Sequence, residues 1–299
     1  MRIKVILNPY ANRWRARARL EGIKKAFAAV HVSPDIVITE KERQGTGLAR
    51  AAVADGYDVI VAAGGDGTVG EVTNGLIKAA GSGPTVPFGI LPIGTANDFS
   101  DLVGLPRDLD ASVRVIVAGN ARLIDAGQIN MNGEIHYFVN NSALAMEPLV
   151  TLENVRMTRL SGETRYIVAL IRGLIKLQAW QMRINWDGGG YEGPAYLLSI
   201  CNGPRTGGFY MAPDAKMNDG LFDFVFAPKV PKWTVLIVLF RLLRKTHIYH
   251  AKITYGRSAH LAITSQPGTP IHADGEVLSE SVTTVAYDIL PDKVTLLSP

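Results

Sequence analysis

Asp66 stands inside a run of small residues, Gly64-Gly65-Asp66-Gly67-Thr68, which continues through Val69 to Gly70 and completes the spacing G-x-G-x-x-G. Glycines let a backbone approach a ligand closely, and amides at the start of a following helix point at phosphate oxygens. The chemistry this run supports is therefore the binding of a phosphorylated ligand. A dinucleotide fingerprint is one version of it, and three features count against that version. The run follows the third expected strand, not the first. About 20 residues further on, where an acid would meet a ribose hydroxyl, the chain reads Ile90-Leu91-Pro92. Finally, a carboxylate inside the loop would meet a pyrophosphate head-on unless a cation intervened. Hydride transfer is thus a minority reading. With Mg2+ between phosphates and acids, the same loop suits a different phosphate ligand. No G-x-x-x-x-G-K-[ST] run occurs, so the loop is not a P-loop.

A second loop of the same kind lies at Pro92-Ile93-Gly94-Thr95-Ala96-Asn97-Asp98-Phe99, with Thr95 reading as the cap of a following helix. Either loop alone is compatible with an ordinary strand–turn–helix connection. Together, at the carboxyl ends of neighbouring strands, they mark the place where parallel sheets bind ligands. Further runs follow at Gly207-Gly208-Phe209-Tyr210-Met211-Ala212-Pro213-Asp214-Ala215, at Asn218-Asp219-Gly220-Leu221 and at His272-Ala273-Asp274-Gly275-Glu276. Taken alone, Asp274-Gly275-Glu276 reads as a surface hairpin turn. The six histidines are scattered; His247 and His250 are close in sequence, but no third zinc ligand accompanies them. Cys201 reads as a core residue, and no G-x-S-x-G elbow exists.

The elements that must position these residues are of two kinds. Ile3–Leu7, Asp35–Thr39, Val59–Ala63 and Phe88–Leu91 read as strands. Between them, Leu20, Ile23, Phe27 and Val30 recur at helical spacing, Leu48–Asp55 reads as a helix stopped by Gly56, and Val72, Leu76 and Ile77 mark another. A further helix is expected to start near Thr95. This alternation predicts a parallel sheet with helices on both faces. After about Asp125 the rhythm changes. Ile135–Asn141, Gln181–Trp186, Tyr191–Asn202, Leu221–Ala227, Ala251–Tyr255, His260–Thr264 and Thr283–Leu290 read as strands punctuated by Asn, Gly and Pro, predicting a mostly antiparallel unit. Residues 1–125, rejoined by about 288–299, are the expected first domain, and 126–287 the second.

Two helical segments interrupt the β-rich half, Tyr166–Trp180 and Lys232–Lys245. The second is nearly all apolar between basic ends, and it is too short for a bilayer span of about 20 residues. It reads either as a buried helix or as an interfacial one, with Trp233 and Phe240 at the headgroups and Arg241, Arg244 and Lys245 on anionic lipid.

Length and composition agree with two folded domains: 299 residues, 47% hydrophobic and 19% charged, which excludes disorder. A single cysteine excludes a disulfide scaffold and a thiolate zinc cluster, and it fits a reducing compartment. The apolar run at the start is too short for a signal peptide, so secretion is not expected. The net charge of +4 is uneven: residues 1–50 hold eleven Lys/Arg against four Asp/Glu. Such a quarter suits phosphate ligands or an anionic surface, and equally a solvated helix face at Arg13, Arg15, Arg17 and Arg19. Nucleic acid is the weaker partner, since no aromatic interleaving or finger motif accompanies the charge.

Gly64-Gly65-Asp66-Gly67-Thr68 with Glu71 and Asn74-Gly75, then Pro92-x-Gly94-Thr95-x-Asn97-Asp98-Phe99, resembles the diacylglycerol kinase catalytic domain, and within that superfamily the bacterial YegS/DgkB-type lipid kinases. The first element alone is shared with NAD kinases, whose soluble phosphotransferase activity is the runner-up; a catalytically inactive nucleotide- or lipid-binding homologue is a third reading. The later runs extend the likeness over nearly the whole chain. The resemblance implies an α/β plus β fold: an N-terminal parallel α/β domain of NAD kinase/diacylglycerol kinase type and a C-terminal, mostly antiparallel β-sandwich. It implies ATP and Mg2+ as cofactors, with ATP between the domains and a membrane lipid, such as diacylglycerol or phosphatidylglycerol, as phosphoryl acceptor. It maps ATP binding onto Asn8, Thr39, Gly64, Gly65, Asp66, Gly67, Thr68, Val69, Gly70, Glu71, Thr95 and Asn97. Asp66 joins a magnesium-linked acidic network, with Asp98 and Asp125 as weaker members. A second metal site falls on Asp219 by its side chain and on Lys216 and Leu221 by their carbonyls, since a protonated lysine cannot ligate Mg2+. Glu276, with Asp274 beside it, becomes the general base. A cytoplasmic protein, peripheral at the inner membrane face through about 232–245, follows; a homodimer is compatible, although no residue argues for one.

Two departures stand out. The expected Asn-Pro-x-Ser-Gly opening is Asn8-Pro9-Tyr10-Ala11-Asn12, where Asn12 can keep a positive φ. Asn141-Ser142-Ala143-Leu144-Ala145-Met146-Glu147 lacks the family's usual glycines and Asp, which bears on the lipid pocket.

Overall fold

Val59–Gly64 (β3) is buried at every position. An unbroken apolar run of this kind is what a parallel strand covered on both faces requires. In the computed structural model, residues 1–11, 16–41, 43–95, 97–156 and 177–299 are described. They divide into two units, Met1–Asp125 with Pro291–Pro299, and Ala126–Leu290.

In the first unit β3 lies between β1 (Ile3–Leu7) and β4 (Phe88–Pro92), and β2 (Asp35–Ile38) pairs with β1, all in parallel. The last residues of β13 (Glu276–Leu297) join β4 through Leu296 and Phe88. Ile23 and Phe27 of α1 (Leu20–Ala28) and Val113 and Ile116 of α5 (Leu109–Ala118) pack with Val5 and Val61 in one buried cluster. The remaining helices are α2 (Gln44–Ala54), α3 (Asp66–Ala80) and α4 (Asp98–Leu102). Because β3 and β4 run in register to Gly64 and Pro92, the two glycine-containing loops leave the sheet side by side.

The second unit is antiparallel. β5 (Ala121–Met131) pairs with β6 (Glu134–Phe138), and the path β11-β10-β9-β7-β12-β13 joins Thr254–Ser258, Phe222–Pro228, Gly189–Cys201, Asn141–Ala145, His260–Ala273 and β13. β8 (Trp180–Trp186) pairs with both β9 and β12. Phe138 stacks on Phe222 at 5.7 Å, and the Tyr287 ring meets both edge-on. The Tyr287 hydroxyl lies 2.9 Å from Ser142 Oγ, so this buried aromatic keeps a polar partner.

Several expectations are corrected. The strand expected over Ile135–Asn141 is two strands, β6 and β7, and the strand expected at Ala251–Tyr255 begins only at Thr254. Helices α5 and α6 (Met146–Arg156) were not expected. Asp108 starts α5 by accepting the Ala111 amide. Of the helix expected at Tyr166–Trp180, residues 166–176 lie outside the described residues, and Trp180 opens β8. Asn12, Arg13 and Arg15 also lie outside them. The buried reading of Lys232–Lys245 fails: α7 (Lys232–Leu243) buries only Thr234, while Trp233, Leu236, Phe240 and Leu243 are 65%, 61%, 54% and 62% exposed. Among the described residues no helix is long and apolar enough to cross a membrane.

Candidate active site

The two loops of the first unit are fastened together by backbone amides. Ile93 and Gly94 donate to the Gly64 carbonyl at 3.1 and 3.0 Å. Asp98 and Phe99 donate to Oδ2 and Oδ1 of Asp66, each at 3.0 Å. A Cβ on Gly94 would stand 2.4 Å from the Gly65 Cα, so only glycine permits this approach. Burial pushes the half-buried Asp66 carboxyl above its ordinary range, and the two amides oppose that shift without cancelling it.

Asp66 also opens α3, whose N-cap, Gly65, supplies no side-chain cap. The Thr68 and Val69 amides turn back onto the Gly65 carbonyl, at 2.9 and 3.1 Å. The Asp66 and Gly67 amides are thus the first-turn donors left without a backbone acceptor among the described residues. Nothing stands within 4 Å of a Cβ built on Gly67, which is exposed. Asn8 ties the end of β1 to this turn through Nδ2 to Thr68 Oγ1 at 3.0 Å. Thr39, buried at the end of β2, donates its amide to the Leu7 carbonyl. Asn97 is buried, donates Nδ2 to the Gly94 carbonyl, and leaves Oδ1 without a partner. Free first-turn amides, space over Gly67 and a buried amide oxygen without a partner fit a nucleotide with its phosphates on the α3 start.

Other residues take different places from those expected. Thr95 is exposed and does not cap α4; the N-cap position is Asn97, and Asp66 supplies the acceptor for that helix start. Glu71 sits one turn into α3, where its carboxylate accepts the amides of Arg43 and Gly45 and so caps α2. Val69 is buried in the first unit, so only its backbone lies in the loop, and Gly70 follows it inside the helix. Asp98 remains beside Asp66, but Asp125 accepts the Asp292 amide instead. Among the described residues no three His, Cys, Asp or Glu side chains cluster for a metal, which corrects the three-acid network. Asp98 and Asp101 both lie near enough to act on the Asp66 charge; each carboxylate oxygen of Asp66 keeps a second lone pair beyond its amide bond, which fits a divalent cation.

In the second unit the Asp274-Gly275 turn joins β12 to β13 with φ of 47° and 82°. Two positive φ values in a two-residue loop are the mark of a type I′ hairpin. The Asp274 carboxylate is taken by three amides, Val139, Asn140 and Asn141, at 2.9, 2.9 and 3.0 Å. Asp274 therefore fixes the chain between β6 and β7, while Glu276, half-buried, begins β13 next to the turn. Behind the hairpin lies a group that motif reading missed. Asn141 Nδ2 donates to Glu147 Oε1 at 2.8 Å, and His272 Nε2 lies 3.2 Å from the same oxygen. Burial alone would push Glu147 up; the His272 and Asn141 side chains outweigh it and hold the carboxyl below its ordinary range. Thr206 completes the group by donating to Asn141 Oδ1. The only advance signal was the departure at 141–147.

At the metal site expected on Lys216, Asp219 and Leu221, the Asp219 carboxylate already has protein partners. Asp219 Oδ1 accepts the Leu221 amide, and Oδ2 is ion-paired with the Arg257 guanidinium, so its charge is already met; Lys216 is exposed. Arg257 also lies 3.7 Å from the buried Asp223, which the Tyr255 hydroxyl hydrogen-bonds. Cys201 is buried with its thiol pushed up, chiefly by that burial, and is no nucleophile.

A parallel α/β unit with a phosphate-type glycine loop and an antiparallel unit with a clamped acidic hairpin define a class of two-unit phosphotransferases. The diacylglycerol kinase catalytic domain matches residues 2–129, and the YegS C-terminal NAD kinase beta sandwich-like domain matches residues 145–298. The chain belongs to this family, the YegS/DgkB-like lipid kinases. A curated diacylglycerol kinase of Staphylococcus aureus (strain bovine RF122 / ET3-1) is 28% identical over 278 residues, covering 92% of this chain and 86% of that protein. The chain has the fold of a diacylglycerol kinase structure from Bacillus anthracis str. Sterne, with a TM-score of 0.73, 22% identity and coverage of 100% and 97%. A second structure from that organism gives 0.81 at 24% identity, covering 100% and 97%.

Proposed function

We propose that this lipid kinase transfers the γ-phosphoryl group of ATP, with Mg2+, to a hydroxyl of a membrane lipid such as diacylglycerol or phosphatidylglycerol. The observation that carries the reading is the pair of loops joined through Asp66, with free amides at the α3 start and Asn97 Oδ1 beside them. The α3 amides would hold phosphate oxygens, and Asn97 would accept from a donor of the nucleoside. Asp66 and Asp98 would hold Mg2+, which when bound offsets the charge of the phosphates. A lipid hydroxyl is a poor nucleophile; Glu276 would orient it and accept its proton, held at the hairpin that Asp274 fixes.

The acceptor's source is a bilayer. α7 exposes Trp233, Leu236, Phe240 and Leu243, with Arg244 4.2 Å above the Phe240 ring and Lys245 3.5 Å above the Tyr210 ring. Exposed aromatics with cations beside them suit an interfacial helix on anionic lipid. Trp233→Asp combined with Arg244→Glu is expected to weaken co-sedimentation with anionic vesicles; unchanged sedimentation removes this role for α7.

The kinase reading is tested with γ-labelled ATP, Mg2+, a bacterial lipid extract and NAD together, followed by solvent partition. Label in the organic phase is the expected result, and chromatography then names the acceptor. Label on NAD in the aqueous phase overturns the lipid acceptor, and ATP binding without transfer to either overturns the kinase reading.

A further inference from the structure

We infer that Glu147 is a positioning residue for Glu276: its buried carboxylate fixes the hairpin from which the proposed base acts. The inference rests on the kinase reading above and adds to it the group that holds the base in place.

Strand register builds the seat for this carboxylate. His272 of β12 stands opposite Ala143 of β7, and Ala143 opposite Ser199 of β9. Directly paired residues of antiparallel strands share a face, so the three side chains form one row across three strands. The row is buried throughout. Its middle member is only a methyl group, and the Glu147 carboxylate, coming from the start of α6, is held from both sides of it. His272 Nε2 lies 3.2 Å from Oε1, and the Ser199 hydroxyl hydrogen-bonds the same carboxylate. Asn141, two residues before Ala143 and on the same face, donates Nδ2 to Oε1 at 2.8 Å. One carboxylate thus ties α6 to β7, β9 and β12. Met146 and Val150 of the same helix line an apolar cavity beside α7, so the polar hold on the sheet falls to Glu147. Ala145, at φ 72°, turns the chain from β7 into α6 in a left-handed conformation that a residue with a Cβ rarely adopts. Such a corner persists where its surroundings over-determine it, and the Glu147 bonds supply that constraint.

Two of the ties lead to the hairpin. Asn141 gives its side chain to Glu147 and its backbone amide to Asp274. His272 is two residues before Asp274, and Nδ1 of its ring has no partner among the described residues, so Glu147 is the polar group that orients the ring. The register excludes a proton relay from His272 to the base. Ala273 pairs with Glu276 and His272 with Val277, which puts the His272 and Glu276 side chains on opposite faces of the β12–β13 ribbon. Glu147 and His272 therefore act on the base through the backbone they fix.

The test is a double-mutant cycle on the full chain, with γ-labelled ATP and mixed micelles of diacylglycerol and phosphatidylglycerol. Glu147→Leu keeps the bulk and removes the acceptors; it is expected to lower kcat about tenfold or more, with the KM for ATP within about twofold of wild type. Glu147→Gln can still accept from Asn141 and His272 and donate to Ser199, and is expected to keep kcat within about threefold. In a Glu276→Gln background, Glu147→Leu should cost less than about twofold, because the group it positions is already gone. An equal cost in both backgrounds, or wild-type kcat in Glu147→Leu, overturns the role. If Glu147→Leu fails to fold, His272→Leu enters the same cycle with the same expectations. Amide hydrogen exchange at residues 139–141 reads the hold directly and needs no turnover. It should quicken in Glu147→Leu but not in Glu147→Gln, while the Asp66 loop keeps its wild-type protection; unchanged exchange in Glu147→Leu overturns the inference. A wild-type chain that labels no lipid overturns the kinase reading and with it the consequence for transfer, whereas the exchange result still decides whether Glu147 holds the hairpin.

Discussion

Asp66 and Asp274 do the same mechanical job in the two units and differ in what is left over. Each carboxylate accepts backbone amides from a loop far away in sequence: Asp98 and Phe99 for Asp66, and Val139, Asn140 and Asn141 for Asp274. Asp66 is half-buried at a helix start whose own amides are free, and its oxygens retain capacity for a cation. Asp274 is buried in a left-handed turn, and three amides occupy it. A carboxylate in a loop is therefore not evidence of catalysis until its acceptors are counted. In the proposed reading the chemistry of the first unit would fall to Asp66 itself, whereas in the second Asp274 braces the turn and Glu276 beside it would do the chemistry.

The largest expected effect separates activity from stability. Asp66→Ala and Glu276→Gln should each lower phosphoryl transfer by about 10²-fold or more in the labelled-ATP assay while the protein stays folded. Wild-type rates in both would end the assignment of these sites. Asp274→Ala should show the reverse balance, a loss of about 3 kcal/mol or more in urea unfolding, because three buried amides lose their acceptor. A smaller loss than that of Asp66→Ala would break the comparison. Gly94→Ala should sharpen it: the added methyl meets Gly65 and forces the paired loops apart. ATP-analogue binding is expected to weaken about tenfold, with lipid binding unaffected.

The smallest effect is in pH dependence, where two carboxylates have opposite signs. Glu147 is held below its ordinary value of 4.5, so its contribution to stability is present above that pH and lost as the pH falls through the folded value. Asp66 is raised above 3.8, so its contribution is present below that pH and lost as the pH rises through the folded value. Urea midpoints between pH 6 and pH 3 should therefore fall less in Glu147→Gln than in the wild type, and more in Asp66→Asn. Parallel curves for all three would remove both environments as described.

Much of the first unit was legible because its signals are local. The unbroken apolar run of β3, the helical spacing of Leu20, Ile23 and Phe27, and the glycines after β3 each lie within a few residues of one another. The family's motifs were legible for the same reason. Hydrophobic pattern alone did not say which side of α7 is covered, because that helix is apolar all round and only the neighbours it meets can divide it. Nor did spacing show that Glu71 caps α2 or that Arg257 meets Asp219, since each pairing joins residues whose separation follows no helix or strand period.

The sequence by itself determined the strand–helix alternation through β4, the β-rich character of the rest, the two glycine loops and the kinase family, all carried by short-range periodicity and contiguous motifs. Tertiary structure alone decided which acids keep free oxygens, that Asn141, Glu147 and His272 meet behind the hairpin, and that α7 has one face on a cavity and one on solvent. The reason is physical: an amide or a carboxylate takes the partner that strand register and helix packing deliver, and in β7 and β12 that partner lies more than a hundred residues away.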